Sequence, residues 1–430
     1  MTTALSPEEY ERYIRRNETW NFVVNLMDLT FFTLATSFIF GSTVLSLYAS
    51  YLTASSALIG FIPAIQNAAY FFPQLLTARQ AEMAPRKKPL VQKFSILERV
   101  PYLFIALSIF LWPDAPKWLA FGILLFGLTL ATGGGGLAGP AWKGMLAKVI
   151  PATKRGLFFG LSTATGGLLG IVGARISRWV LAEYTYPTSF GLCFLFCFFA
   201  HIFSWICLSL NREPPKFPEK ELPPPREYWR RLPEVLRRSP NFVRYLVSRI
   251  FLIFGSMGTA FYILYGRQRF HLPDTAAADF TTVSLISQTV CTPILGWFAD
   301  RKGNKWLTEL GAALVVGTLL AILFAPNVIW LYVAFALSSA AFSGMGVAGM
   351  SITMEFSSPD EVPTFTALAG TILAVPILLA PVFGGWLADL AGYRVLFMVA
   401  LGFLLVGWGL MHWLVREPRK EQGYAEKVHA

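Results

Sequence analysis

The chain has 430 residues, 55% of them hydrophobic and 14% charged, with mean hydropathy +0.52 and formal net charge +11. A soluble domain carries about 25% charged residues, so a water-soluble globule of this length would lack polar cover. Disorder fails on the same ground, and four cysteines in 430 residues make no disulfide scaffold. The composition is that of a polytopic membrane protein.

Residues 1–20 are polar and read as a surface helix on the cytoplasmic side. Ser6-Pro7-Glu8-Glu9 forms a capping box with proline at the first helical position, and Arg12, Arg15 and Arg16 follow. The first apolar run is too long for a cleavable signal and starts too late. A membrane span needs about 20 apolar residues. That ruler predicts twelve spans, at 21–48, 56–78, 95–112, 117–140, 157–181, 188–210, 242–265, 277–299, 306–325, 329–351, 364–388 and 394–415. Only 211–240 is a long polar connection, and its prolines (Pro214, Pro215, Pro218, Pro223, Pro224, Pro225) mark a linker. The expected organisation is a six-helix half over 21–210, a linker over 211–240, a second half over 241–415, and a tail over 416–430. The expected fold is therefore all-α, twelve transmembrane helices as two six-helix pseudo-repeats.

With the N-terminus placed in the cytoplasm, 28 of 36 Lys and Arg residues lie on that side, which predicts both termini there by the positive-inside rule. The scatter of these charges over membrane-proximal loops argues against a nucleic-acid partner. Membrane lipids and a small-molecule substrate are the expected partners, and a monomer is expected.

The halves repeat. Asn21-Phe22-Val23 opens span one and Asn241-Phe242-Val243 opens span seven. Arg212-Glu213-Pro214 follows span six and Arg416-Glu417-Pro418 follows span twelve. Glu98 of span three matches Glu309 of span nine, and Pro7-Glu8-Glu9-Tyr10 resembles Pro225-Arg226-Glu227-Tyr228. Six spans is an even number, so the halves keep one orientation about an axis along the membrane normal. Spans three, six, nine and twelve are nearly featureless and are expected to face lipid. Polar residues concentrate in the others, including Asn25, Asp28, Gln66, Asn67, Arg249 and Gln288. Those spans should face one another or a watery path.

Between spans eight and nine the chain reads Gly296-Trp297-Phe298-Ala299-Asp300-Arg301-Lys302-Gly303-Asn304-Lys305. This resembles the G-x-x-x-D-R-x-G-x-K signature of the major facilitator superfamily in its second-half copy. The residues support it: Gly296 would let helices approach, Gly303 would allow a tight turn, and the cations meet headgroups or carboxylates. The first-half copy is degraded to Ala78, Glu82, Met83, Pro85, Arg86 and Lys87. The resemblance implies a cytoplasmic gate centred on Asp300, Arg301 and Lys305. Glu82, Arg86 and Lys87 are weaker counterparts, and Glu98 and Glu309 are expected as network partners or as acids at helix N-termini. Pro381-Val382-Phe383-Gly384-Gly385 resembles the family's close-crossing element. The resemblance also implies alternating access between the halves, without assigning a subfamily.

A mid-span charge costs about 2.5–3.5 kcal/mol on insertion scales, so each demands a reason. Asp28 and Arg249 occupy nearly corresponding places in spans one and seven. Asp28 reads as a proton or substrate-cation site paired with Arg249 in one conformation, or as half of a static ion pair. Gln66, Asn67, Asn25 and Gln288 are neutral hydrogen-bonding candidates, or packing contacts between helices. Arg175 and Arg178 either snorkel to headgroups or attract an anion, and His201 reads as a neutral packing residue. Gly133–Gly136 belongs to no phosphate loop, and reads as close packing or a bend in span four. No catalytic, nucleotide or metal motif occurs, so neither an enzyme nor a cofactor is expected, and a proton gradient is the expected driving force. The functional expectation is a proton-coupled secondary transporter of a small amphipathic solute, efflux favoured, in a prokaryotic plasma membrane. The alternative is a transporter-like protein of lipid handling or complex assembly.

Overall fold

The structure is a computed structural model and describes residues 6–216, 236–356 and 362–418. Most of the linker, the repeat of the surface helix at Pro225–Tyr228 and most of the tail fall outside the described residues. Among the described residues every regular element is helical.

Helix α1 covers Pro7–Phe38. Ser6 caps it: its hydroxyl accepts from the Glu9 amide while Glu9 reaches back to the Ser6 amide, which satisfies two orphan donors. The expected surface helix and the first span are thus one unbroken helix. The chain then passes through a single π turn (Gly41–Leu45) into α2 (Ser46–Leu52). Four long helices follow, α3 (Ser56–Met83), α4 (Lys88–Leu111), α5 (Lys117–Val149) and α6 (Arg155–Glu183), and then α7 (Thr188–Ser209).

The second half begins with α8 (Pro240–Gly255), which breaks at a 3-10 turn before α9 (Tyr262–Phe270). Spans one and seven are therefore both interrupted, a further trace of the repeat. Then come α10 (Thr275–Lys302), α11 (Asn304–Leu323), α12 (Ile329–Glu355) and α13 (Val362–Leu414). Within the 53 residues of α13, Gly392 adopts φ 84°, ψ 164°, and the break separates the eleventh and twelfth predicted spans. That left-handed φ suits glycine. Ten helical stretches of the described residues are long and apolar enough to cross a membrane. Helix α3 and the division of α13 at Gly392 fall at the positions of the remaining two predicted spans.

Two compact units emerge. One comprises Met1–Ala54, Ile65–Glu221 and Asp274–Thr282; the other comprises Ser55–Ala64, Leu222–Pro273 and Val283–Ala430. In the first, α1 packs on α6 and α7, and α4 packs on α5 and α7. In the second, α8 packs on α13 and α11 packs on α12. The first turns of α3 belong to the second unit, where the Asp389 carboxylate accepts from the Ser56 amide at 2.6 Å and the Ala57 amide at 3.0 Å. There the backbones nearly touch: a methyl on Gly60 would sit 2.1 Å from the Pro381 carbonyl, and one on Gly385 2.2 Å from the Ser56 carbonyl. The predicted close crossing at Pro381–Gly385 is present.

The repeated triplets turn out to be two sides of one contact, present in each unit. Asn21 Nδ2 donates to the Arg212 carbonyl at 2.9 Å, and the Arg212 amide donates back to Asn21 Oδ1 at 2.8 Å. Asn241 and Arg416 form the same reciprocal pair at 3.1 and 2.8 Å. In the first unit Glu213 follows directly and accepts from the Lys87 and Lys88 amides, at 2.9 and 2.7 Å, and from Lys148 Nζ at 2.9 Å. A carboxylate at the start of α4 meets the unpaired amides and the positive end of the helix. In the second unit the Glu417 carboxylate lies against Gly303, the N-cap of α11, where a methyl would stand 2.8 Å from Oε1.

Candidate functional site

The site is built by α1, α3, α4, α5 and α7 of the first unit. A cavity of about 290 Å³ lies among them, walled by Asp28, Glu98, Arg99, Phe32, Tyr70 and Trp142. Both α4 and α7 keep a lipid-type stripe (Ile96, Val100, Phe104, Leu107 on α4; Phe199, Phe203, Ile206 on α7). Their opposite faces carry buried Arg99, His201 and Ser204. The expectation that spans three and six are featureless lipid-facing helices is corrected: one face of each is exposed and apolar, and the other carries buried polar and charged groups.

Arg99 is the centre. Its guanidinium donates from Nε to the His201 carbonyl (3.0 Å), from Nη1 to the Ser95 carbonyl (2.8 Å) and Glu98 Oε2 (2.8 Å), and from Nη2 to Ser204 Oγ (3.0 Å). Four of its five N–H groups are thereby engaged. Ser204 passes the interaction on, donating to Asp28 Oδ1 at 2.6 Å, while Arg99 Nη2 stands 3.8 Å from the same oxygen. The cation facing Asp28 is thus Arg99, reached partly through a serine. The sequence offers Arg249 as a partner of Asp28 in one conformation; Arg249 lies on α8. Neither Arg99 nor Ser204 is among the candidate site residues of the sequence. The signal for Arg99 was present, because an arginine inside a span needs a carboxylate partner. Assigning span three to lipid hid it.

Glu98 also moves. It was expected with the gate residues, but it stands ten residues into α4, about 15 Å along the helix from Lys88. It belongs to the Asp28 cavity. Its repeat counterpart Glu309 is five residues into α11 and pairs with Lys305 at 3.5 Å and with His412 at 3.5 Å. The two acids matched in sequence therefore do different work. His201 is 1% exposed, stacks on Tyr102 at 5.0 Å and meets Phe32 edge-on, and neither ring nitrogen has a hydrogen-bond partner. It packs as expected.

The remaining candidates distribute as follows. Asn25 is not in the cavity: it exchanges amide hydrogen bonds with Asn211, at 2.6 and 3.1 Å, and ties α1 to the end of α7. Gln66 and Asn67 lie half-buried on α3, and Gln288 half-buried on α10; none of the three lines the cavity around Asp28. In the signature segment Asp300 is exposed near the end of α10, and Arg301 stacks on the Trp297 ring at 3.8 Å. Gly303 takes φ 92° at the turn into α11, as a tight turn requires. Among the described residues no atom lies within 4 Å of a methyl added at Gly296. In the weaker copy Glu82 and Arg86 are exposed, and Lys87 Nζ donates to the Ala81 carbonyl. Burial, ahead of the neighbouring Lys148 ammonium, pulls the Lys87 pKa below its ordinary value, while Glu213 opposes this. Arg175 and Arg178 share one acidic partner. Both grip Asp279, at 3.1 and 2.9 Å, within the first unit.

Long apolar helices around a buried charge cluster and a cavity define a polytopic membrane protein. The chain belongs to the Major Facilitator Superfamily, whose profile matches residues 27–278 and 265–429. It is therefore a membrane transporter and not an enzyme. It is similar to the multi-drug resistance efflux pump PmrA of Streptococcus pneumoniae, 27% identical over 126 residues, which is 29% of this chain and 31% of that protein. The match thus spans about a third of the length of that curated relative. Its fold is similar to a D-xylose–proton symporter (TM-score 0.69, 16% identity, 93% of this chain and 98% of that one). It is also similar to the nucleoside transporter NupG (TM-score 0.65, 13% identity, 91% and 98%). A bacterial homolog of the human lysosomal transporter Spinster, inward-facing and unoccupied, gives TM-score 0.64 at 14% identity over 97% and 99%.

Proposed function

We propose that the protein is a proton-coupled secondary transporter that exports a small amphipathic solute by alternating access. The observation that carries this reading is the Asp28–Ser204–Arg99–Glu98 cluster on the cavity wall. Two carboxylates share one guanidinium, which leaves one negative charge uncompensated in a low-dielectric setting. Such a charge is costly unless neutralised. A proton on Asp28 neutralises it, and leaves Arg99 and Glu98 as a balanced pair. Protonation also removes the acceptor charge opposite Arg99 Nη2, so proton binding and side-chain arrangement are coupled. The apolar and aromatic part of the wall suits an amphipathic solute, and the partial likeness to an efflux pump favours export.

The positive-inside distribution supports cytoplasmic termini, and the reading includes a prokaryotic plasma membrane, a monomeric protein and no cofactor beyond the proton gradient. Reconstitution in liposomes under an imposed pH gradient tests the reading. Solute-dependent proton flux is expected from the native chain, and Asp28→Asn should uncouple it. Unchanged coupling in Asp28→Asn would refute the role given to Asp28.

A further inference from the structure

The four-glycine run of α5 remains unexplained by proton coupling, and its geometry is specific. A methyl on Gly134 would lie 2.4 Å from the Glu98 amide, and one on Gly136 would lie 2.4 Å from the Tyr70 carbonyl. These two let α5 touch the backbones of α4 and α3. Gly135 differs: its added methyl would lie 2.6 Å from Glu98 Oε1, the tip of a side chain. Gly135 therefore leaves the space in which the Glu98 carboxylate rests, on the cavity wall. Gly133 has only the Ala69 carbonyl at 3.7 Å, an ordinary contact.

From this we infer that Glu98, seated against Gly135, is the anchor of a binding site for a small aromatic monocation such as a primary amine. The inference rests on the transporter reading and names its substrate class. Three observations carry it. Glu98 is the accessible acid of the cluster, its side chain 19% exposed against 6% for Asp28. The one cation of the cluster, Arg99, is 3% exposed at the side chain with four N–H groups already engaged, so it cannot receive an anion. Phe32, Tyr70 and Trp142 line the cavity with Glu98, and aromatic side chains attract an ammonium and give an apolar surface to its body. A monocation restores the charge balance of the cluster as a proton does. About 290 Å³ sits at the small end of ligand cavities, which limits the solute to a compact amine.

An isosteric series tests the charge: tyramine (cation), tyrosol (neutral) and 4-hydroxyphenylacetate (anion), titrated calorimetrically into the purified full chain at millimolar concentrations. Tyramine should bind, and the alcohol and the acid should bind about tenfold more weakly or worse, as loss of a charge-assisted hydrogen bond implies. Gly135→Ala and Glu98→Gln should each weaken tyramine about tenfold or more, while Gly133→Ala stays within about twofold of the native chain. Should Gly135→Ala fail to fold, Glu98→Gln alone decides. Equal binding of the alcohol or acid, absence of tyramine binding, or native affinity in Glu98→Gln overturns the inference. A chain that fails here yet retains Asp28-dependent proton flux keeps the transporter reading and loses only the monocation site.

Discussion

Arg99 shows how one buried residue organises a site. It is 2% exposed and is held by carbonyls of α4 and α7, by Ser204 and by two acids of different reach. Removing it would leave both Asp28 and Glu98 without their cation, and breaking a buried pair from one side costs about 3–5 kcal/mol. Arg99→Ala is therefore expected to lower the thermal unfolding midpoint in detergent strongly, and Arg99→Ala combined with Asp28→Asn and Glu98→Gln to recover part of the loss. Ser204→Ala makes a milder case. It removes the link between guanidinium and carboxylate, with an expected cost of about 1.5–3 kcal/mol for hydrogen bonds to charged groups. The same unfolding measurement checks it.

Among the helices, α5 is the clearest case of sequence composition serving contact. Four consecutive glycines weaken a helix, by roughly 1 kcal/mol each relative to alanine. Yet α5 is continuous from Lys117 to Val149, and at Gly134 and Gly136 neighbouring backbones occupy the space that side chains would fill. Gly134→Ala is expected to destabilise by about 1–3 kcal/mol through overpacking against α4. Gly122→Ala, in the same helix with nothing within 4 Å, should instead stabilise by about 0.4–1 kcal/mol. Opposite signs from one helix, read as shifts in unfolding midpoint, separate close packing from propensity. Helix α1 gives a smaller contrast: Ser6→Ala removes the capping box and should cost about 0.5–2 kcal/mol.

Across the whole molecule the repeat is structural rather than only historical. Asn21 with Arg212, and Asn241 with Arg416, close each unit on its own ends. The two pairs belong to different units, so Asn21→Ala and Asn241→Ala should each cost about 1 kcal/mol and add within about 0.5 kcal/mol in the double variant. Strong non-additivity would show that the two closures act as one device. The units differ in how they use their matched acids. The first holds a charge cluster on a cavity, whereas Glu309, the sequence counterpart of Glu98, serves a pair with Lys305.

Class, helix positions, the duplication and family resemblance were all legible in the residues, because hydropathy acts locally and the membrane imposes length on every span. The value of Asp28 was legible too, since a carboxylate in a span is expensive wherever it lies. What the residues in order could not supply was facing. Whether Arg99 looks to lipid or to Asp28 depends on how α4 is rotated against α1 and α7, and that rotation is set by packing across three helices. The same holds for Gly133–Gly136, whose role appears only once the Glu98 carboxylate is seen to occupy the space beside Gly135. Low charge content placed the chain in lipid, and tertiary packing gathered three of its few deep charges into one site.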